Sequence, residues 1–288
     1  MLLSAATPGE KKASALKRLQ RLQPFPPVVV ELMYIVGEEE AKFKEIAELI
    51  RSDAAVSGEV LRMANSPLLG TWGQVTSVMH AVVILGLERL KGLIVTAALR
   101  SFLSPALERP VLLGCWRHNL ACGILAENLA TTYFLPKDPC YTAGLLHDVG
   151  RLALLSAYPA DYVELLDLAE RYQVDVRECE RGVFGLDHCE AGQWLVKEWG
   201  FPEEFQAISG AHHEAPSGQR CNKVAIVQLA CREADALGFA ATSGQVELGR
   251  KTIAGRVPTG AWRRLGAGPE LGLNVADRIN ALECSLMS

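Results

Sequence analysis

Five of the chain's six histidines fall between positions 118 and 213: His118, His147, His188, His212 and His213. His147 is followed at once by Asp148, in the stretch AGLLHDVG at 143–150. Imidazole and carboxylate are natural ligands of Zn, Fe, Mn and Ni, and facing helices of a bundle can bring them together. Each of these residues lies on an expected helix or at a helix end, so convergence on one or two divalent ions is geometrically open. Such ions would lower the pKa of a bound water and clamp phosphate oxygens.

A plainer account stands beside this one. A histidine in a helix is more often a hydrogen-bonded core residue than a ligand, and His80, alone at the start of SVMHAVVILGL, is assigned to the core. His212 and His213 end a helix, where an imidazolium interacts well with the dipole without any metal. Glycine inside a helix costs ~1 kcal/mol relative to alanine. Gly144 and Gly150, at helical spacing from His147, therefore mark a close approach, by a metal with its ligands or by another helix.

Other chemistries find no support. Cys115, Cys122 and Cys231 have apolar helix neighbours, where thiols are usually inert. No GxSxG and no P-loop occurs, and Gly266, Gly268 and Gly272 follow no strand, so a dinucleotide site is not expected. Arg151, Arg220 and Lys223 are the basic residues nearest the His-Asp doublet and the His pair, and surface solvation explains them as well as substrate binding does.

The elements that must position these side chains are helices. Apolar residues recur at spacings of three and four in AKFKEIAELIRSD, and Asp53 is a good N-cap for AAVSGEVLRMAN, which Asn65, Ser66 and Pro67 should end. Thr76 or Ser77 can cap SVMHAVVILGL, and ERLKGLIVTAALRSFL follows Gly86. SPALERP at 104–110 is a candidate boundary. VLLGCWRHNLACGILAENLATTY reads as one long helix, KDPC as a turn, and YTAGLLHDVGRLALLSAY as the next helix. Asp187 with Glu190 makes a capping box, and Pro202 suits the first turn of PEEFQAISGAHH. From Phe239 to Glu270 glycine rises and periodicity weakens. No alternating run argues for a sheet, so the expected fold is all-α: a helical module at 14–105 packed on a second helical domain at 106–288.

Composition narrows the class. The chain is 288 residues, 49% hydrophobic and 22% charged, enough to bury its apolar surface without staples. A net charge of −4 gives no electrostatic argument for nucleic acid or an anionic membrane as partner. The eight cysteines are scattered without a CxxC pair, which reads as reduced thiols in a cytoplasm. MLLSAATPGEKK lacks the regions of a signal peptide, and Glu88, Arg89 and Lys91 interrupt the most apolar stretch, so no membrane span is expected.

Taken in order, LQPFPPVVVELMYIV, EIAELIRSDAAVSGEVLRMANSPLLG, TSVMHAVVILGLERLKGLIV, AGLLHDVGRLALL and ECERGVFGLDHCEAGQWLVKEWGFPEEFQAISGAHHE resemble an HDOD-domain protein of bacterial signalling, from about residue 16 to about residue 238. That family is related to the HD and HD-GYP metal-dependent phosphohydrolases, and usually serves as a regulatory output module without demonstrated catalysis. The resemblance implies that His118, His147 and Asp148 occupy the first three positions of the HD metal pattern. His188, His212 and His213 match the extra ligands of HD-GYP enzymes. Cys231 stands where the later HD aspartate would fall, with Asp235 one turn further on. The GYP motif is absent, which disfavours cyclic-di-GMP hydrolysis.

The favoured expectation is a regulatory protein acting through a signalling partner or a ligand without turnover. The alternative is a metal-dependent phosphohydrolase acting on a nucleotide or phosphoester, with one or two Fe, Mn, Zn or Ni ions. Between them lies a metal that is structural or sensory.

Overall fold

The residues read as caps start the helices. The Asp53 carboxylate accepts the N–H groups of Ala55 and Val56 at 2.9 and 3.0 Å, Ser77 caps the helix that begins at Val78, and Asp187 with Glu190 forms a reciprocal capping box. A computed structural model describes residues 6–35, 40–65, 74–103, 107, 109–214, 221–241 and 269–287. In chain order the helices are α1 (Pro8–Leu19), α2 (Pro27–Tyr34), α3 (Glu40–Arg51), α4 (Ala54–Ala64), α5 (Val78–Leu85), α6 (Leu87–Leu103) and α7 (Pro110–Thr132). They continue with α8 (Lys137–Leu146), α9 (Val149–Ala157), α10 (Pro159–Tyr172), α11 (Val176–Phe184), α12 (His188–Glu198), α13 (Glu203–Ala211), α14 (Lys223–Ala236) and α15 (Pro269–Met287). The fold is all-α, with no strand among the described residues. No described helix is long and apolar enough to cross a membrane.

Helices α2 to α6 pack among themselves. In the rest of the chain α7 lies against α8, α14, α9 and α15, while α12 packs on α9 and α13. Helix α6 joins the two sets by packing on α8, and the apolar core runs on through Leu90, Ile94, Leu120, Ile124, Leu145 and Leu146. Helix α1 packs on α11 and α9 and is tied there by Lys12 Nζ, 2.6 Å from Glu190 Oε1. The boundary expected at 105/106, the glycines Gly266 and Gly268, and Arg220 lie outside the described residues.

Three expectations change. His80 is exposed on α5 rather than buried in the core. KDPC is the first turn of α8, not a separate turn. The helix expected over 141–158 is broken at the His-Asp doublet, between α8 and α9. The break is held by side chains that take the last carbonyls of α8. His147 Nδ1 bonds Gly144 O at 2.6 Å, Asn119 Nδ2 bonds Leu145 O at 2.9 Å and Ser209 Oγ bonds Leu146 O at 3.3 Å. A helix end needs such partners when buried, and these satisfy it without a glycine or proline breaker.

The two glycines mark contact with other helices. A Cβ at Gly144 would lie 2.5 Å from Cys122 O on α7, and one at Gly150 would overlap His188 O and Gly192 N on α12. The lack of a side chain lets α7 and α12 come close enough to carry their ligating residues to His147.

Candidate metal centre

Helix α7 contributes His118 and Cys122, four residues apart and therefore on one face. His147 and Asp148 fill the joint between α8 and α9, and Arg151 follows on the first turn of α9. His188 opens α12, His212 and His213 follow the end of α13, and Cys231 projects from α14. The helices bring all six expected residues into one buried neighbourhood. Ring centroids run His118–His147 5.3 Å, His147–His212 4.9 Å, His188–His212 5.5 Å and His188–His213 4.9 Å.

Three of the rings are oriented alike. His147 Nδ1 faces Gly144 O, His212 Nδ1 faces Ser209 O at 2.8 Å, and His118 Nδ1 faces Phe239 O at 2.7 Å. A carbonyl only accepts, so each Nδ1 carries a proton; His147 Nε2 and His212 Nε2 are left without a partner, while His118 Nε2 meets the Cys122 and Cys231 sulfurs. Backbone bonds of this kind fix the tautomer of metal-ligating histidines. His147 Nε2, His212 Nε2 and Asp148 Oδ1 have no hydrogen-bond partner although they are buried. Ligand atoms of these three residues lie within 4.8 Å of one another. Burial and the neighbouring His147 push His212 down to about 3, so it stays neutral.

The other side of the cavity is already paired. Arg151 is fully buried; its Nε lies 2.6 Å from Asp148 Oδ2 and its Nη2 3.1 Å from His188 Nε2. His188 Nδ1 in turn bonds Glu180 at 2.7 Å, Glu180 accepts from the Tyr162 hydroxyl, and His188 Nε2 also meets His213 Nε2 at 2.8 Å. Burial works against charge on Asp148, yet Arg151 and the surrounding imidazoles outweigh it and hold the carboxylate well below its usual range. Arg151 is thus no solvated surface residue, whereas Lys223 pairs with Glu204 at 2.6 Å on the partly exposed outside.

At the HD aspartate position the thiol takes part. Cys231 Sγ lies 3.5 Å from His118 Nε2, as does Cys122 Sγ. The Cys122 hydrogen bond and the His118 and His147 rings outweigh burial and hold Cys231 well below the ordinary thiol range. Cys231 is buried in the core as its apolar neighbours suggested, but its thiol lies against the His118 imidazole and the Cys122 thiol. Asp235 does not replace the missing ligand, because its Oδ1 sits behind His118, 3.6 Å from Nδ1. Glu180 is the site residue that sequence reading passed over; Arg151 was named only as a basic residue near the doublet and Cys122 only as an apolar-flanked thiol.

The chain belongs to the HDOD domain family, whose pattern it matches over residues 22–215. An uncharacterised protein of Treponema pallidum (strain Nichols) is 26% identical over 208 residues, covering 71% of this chain and 40% of that protein. The chain therefore spans about two fifths of the length of this curated relative. The crystal structure of an HDOD domain protein of unknown function from Geobacter sulfurreducens aligns with a TM-score of 0.70 and 24% identity, over 95% of this chain and 97% of that one. That of a candidate phosphohydrolase from Shewanella amazonensis SB2B aligns with a TM-score of 0.67 and 20% identity, over 96% and 97%. Both likenesses establish the fold.

The resemblance to the HD pattern implies a divalent metal, and the residues present fit one on chemical grounds. The orphaned His147 Nε2, Asp148 Oδ1 and His212 Nε2 are buried, and the ligand atoms of these residues lie within 4.8 Å of one another, where a cation or a donor would satisfy them.

Proposed function

We propose that the chain is a regulatory HDOD module that acts by binding a signalling protein or ligand, without turnover. The observation that carries this reading is the Arg151 guanidinium, buried between Asp148 and His188. A fixed cation there neutralises the carboxylate that a hydrolytic metal would need, and Cys231 removes a second oxygen ligand. Unpaired cysteines throughout suit a reducing cytoplasm.

The orphaned atoms of His147, Asp148 and His212 favour a second reading. In it His118, His147, Asp148, His188, His212 and His213 hold one or two Fe, Mn, Zn or Ni ions, which would supply an activated water for phosphoester hydrolysis. The name carried by the Shewanella protein points the same way.

One experiment separates them. The purified chain is assayed with p-nitrophenyl phosphate, bis-p-nitrophenyl phosphate, nucleotides and cyclic dinucleotides, with Mn, Fe(II), Ni and Zn supplied in turn. The regulatory reading expects no hydrolysis above that of the Asp148→Asn variant. Turnover that Asp148→Asn abolishes would overturn it in favour of the hydrolase.

A further inference from the structure

We propose that His118, Cys122, His147 and Cys231 form a closed, four-coordinate site for a thiophilic divalent ion, zinc foremost. This goes beyond the regulatory reading, and it takes His118 and His147 out of the ligand set that the hydrolase reading would need.

The geometry is that of a ligand shell. One ligand atom from each of the four residues lies within 4.8 Å of the others. His118 Nε2 is 3.5 Å from both sulfur atoms. Tetrahedral zinc, with Zn–N of about 2.0–2.1 Å and Zn–S of about 2.3 Å, requires N···S edges of about 3.5 Å. The edges measured from His118 already have that length.

A separate observation points to an ion. His147 Nε2 belongs to a residue 1% exposed and has no hydrogen-bond partner. A buried imidazole nitrogen within 4.8 Å of two sulfurs lacks a partner that a metal would supply. Both rings are locked by their Nδ1 bonds to Phe239 O and Gly144 O, and the Asp235 carboxylate lies behind His118. These are the outer contacts that orient metal-bound histidines.

The donor set also selects the ion. Two sulfurs with two imidazoles suit zinc and disfavour magnesium or manganese, which prefer oxygen. The set takes His118 and His147 from the HD pattern, has Cys231 at the place of its later aspartate and adds Cys122 from outside it; Asp148 is left to Arg151. Four protein ligands leave no open position for a water, so such a site is structural or sensory rather than hydrolytic. It would join α7, α8 and α14 at one point.

The test is a cobalt(II) titration of the reduced, metal-stripped full chain. Expected are roughly one equivalent bound, an intense sulfur-to-cobalt charge-transfer absorption, and the strong visible bands of tetrahedral cobalt, all bleached by zinc. Cys122→Ser and Cys231→Ser should each lower the charge-transfer intensity by about half. Each should also weaken zinc binding by at least ~10–100-fold, the range seen even for outer contacts. Cys231→Asp keeps a ligand in place, so it should retain cobalt while losing about half the sulfur band. Circular dichroism identifies the variants that fold. The proposal is overturned if the folded, reduced chain binds no cobalt, if bound cobalt shows only weak octahedral bands, or if both cysteine variants keep the full sulfur band. Cobalt spectra and the phosphoester assay are separate readouts, so a failure of this proposal and a failure of the regulatory reading are distinguishable.

Discussion

Arg151 Nε lies 2.6 Å from Asp148 Oδ2, and both side chains are at most 2% exposed. The pair stands one turn apart at the start of α9, where Asp148 is the N-cap residue. A buried ion pair of this kind contributes little over an apolar pair, but removing one partner strands the other charge at a cost of about 3–5 kcal/mol.

Arg151→Ala should therefore lower unfolding stability by about 3–5 kcal/mol, read from the shift in urea midpoint. The double variant Arg151→Met with Asp148→Asn should recover much of that loss, because it leaves no charge behind. A loss below about 1 kcal/mol in Arg151→Ala would mean that the carboxylate finds another cation or water.

The contact between α6 and α8 should weaken in alkali. Thr96 Oγ1 donates to Gly92 O at 2.7 Å, so the buried Tyr141 hydroxyl, 2.9 Å away, must donate to Thr96. Burial pushes Tyr141 up to about 12 from an ordinary 10.0. The folded state thus holds this proton more tightly than the unfolded chain, and stability present below pH 10 is lost as pH rises through 12. Tyr141→Phe should cost about 1 kcal/mol at neutral pH. That deficit should shrink above pH 10, as followed by denaturant midpoints across pH; a constant deficit would sink the idea.

Two glycine substitutions should move in opposite directions. Gly150→Ala forces a methyl against the α12 backbone and should cost about 1–3 kcal/mol. At Gly114 on α7 an added Cβ meets nothing within 4 Å, so Gly114→Ala should gain about 0.5–1 kcal/mol from helix propensity. Thermal melts of the two variants give the signs directly.

Zinc should raise the melting temperature of the wild-type chain and a chelator should reverse it. An ion bound only by the folded state stabilises by mass action, about 2.7 kcal/mol at a free concentration 100 times its Kd. At the same zinc concentration Cys231→Ser should show a smaller rise than the wild-type chain, in line with its weakened binding.

Much of this fold was legible because its signals are local. Asp53, Ser77 and the Asp187–Glu190 pair cap through residues two or three positions away, and period-three-to-four apolar spacing marks the helix faces. The five histidine positions were also readable as a group, since only His80 lies elsewhere in the chain, and Asp148 joined them as the neighbour of His147. The break at 147–148 was not. It depends on Asn119 and Ser209 reaching α8 from distant helices, and on a histidine ring turning back to its own helix. The surroundings of Cys231 were not legible, because its sequence neighbours are apolar while the groups that hold its thiol belong to α7 and to the α8–α9 joint. Glu180 sits eight residues before His188 across a turn, a spacing no periodicity reports.

His147 and His212 share a double duty. Each terminates a helix by donating Nδ1–H to the carbonyl three residues back, and each leaves Nε2 facing the cavity. Architecture and chemistry are thereby written in the same two side chains. A chain with no reaction to perform still could not discard these imidazoles without fraying α8 and α13. A vestigial centre would then outlast its purpose, and the presence of the residues says less about turnover than the arginine placed among them.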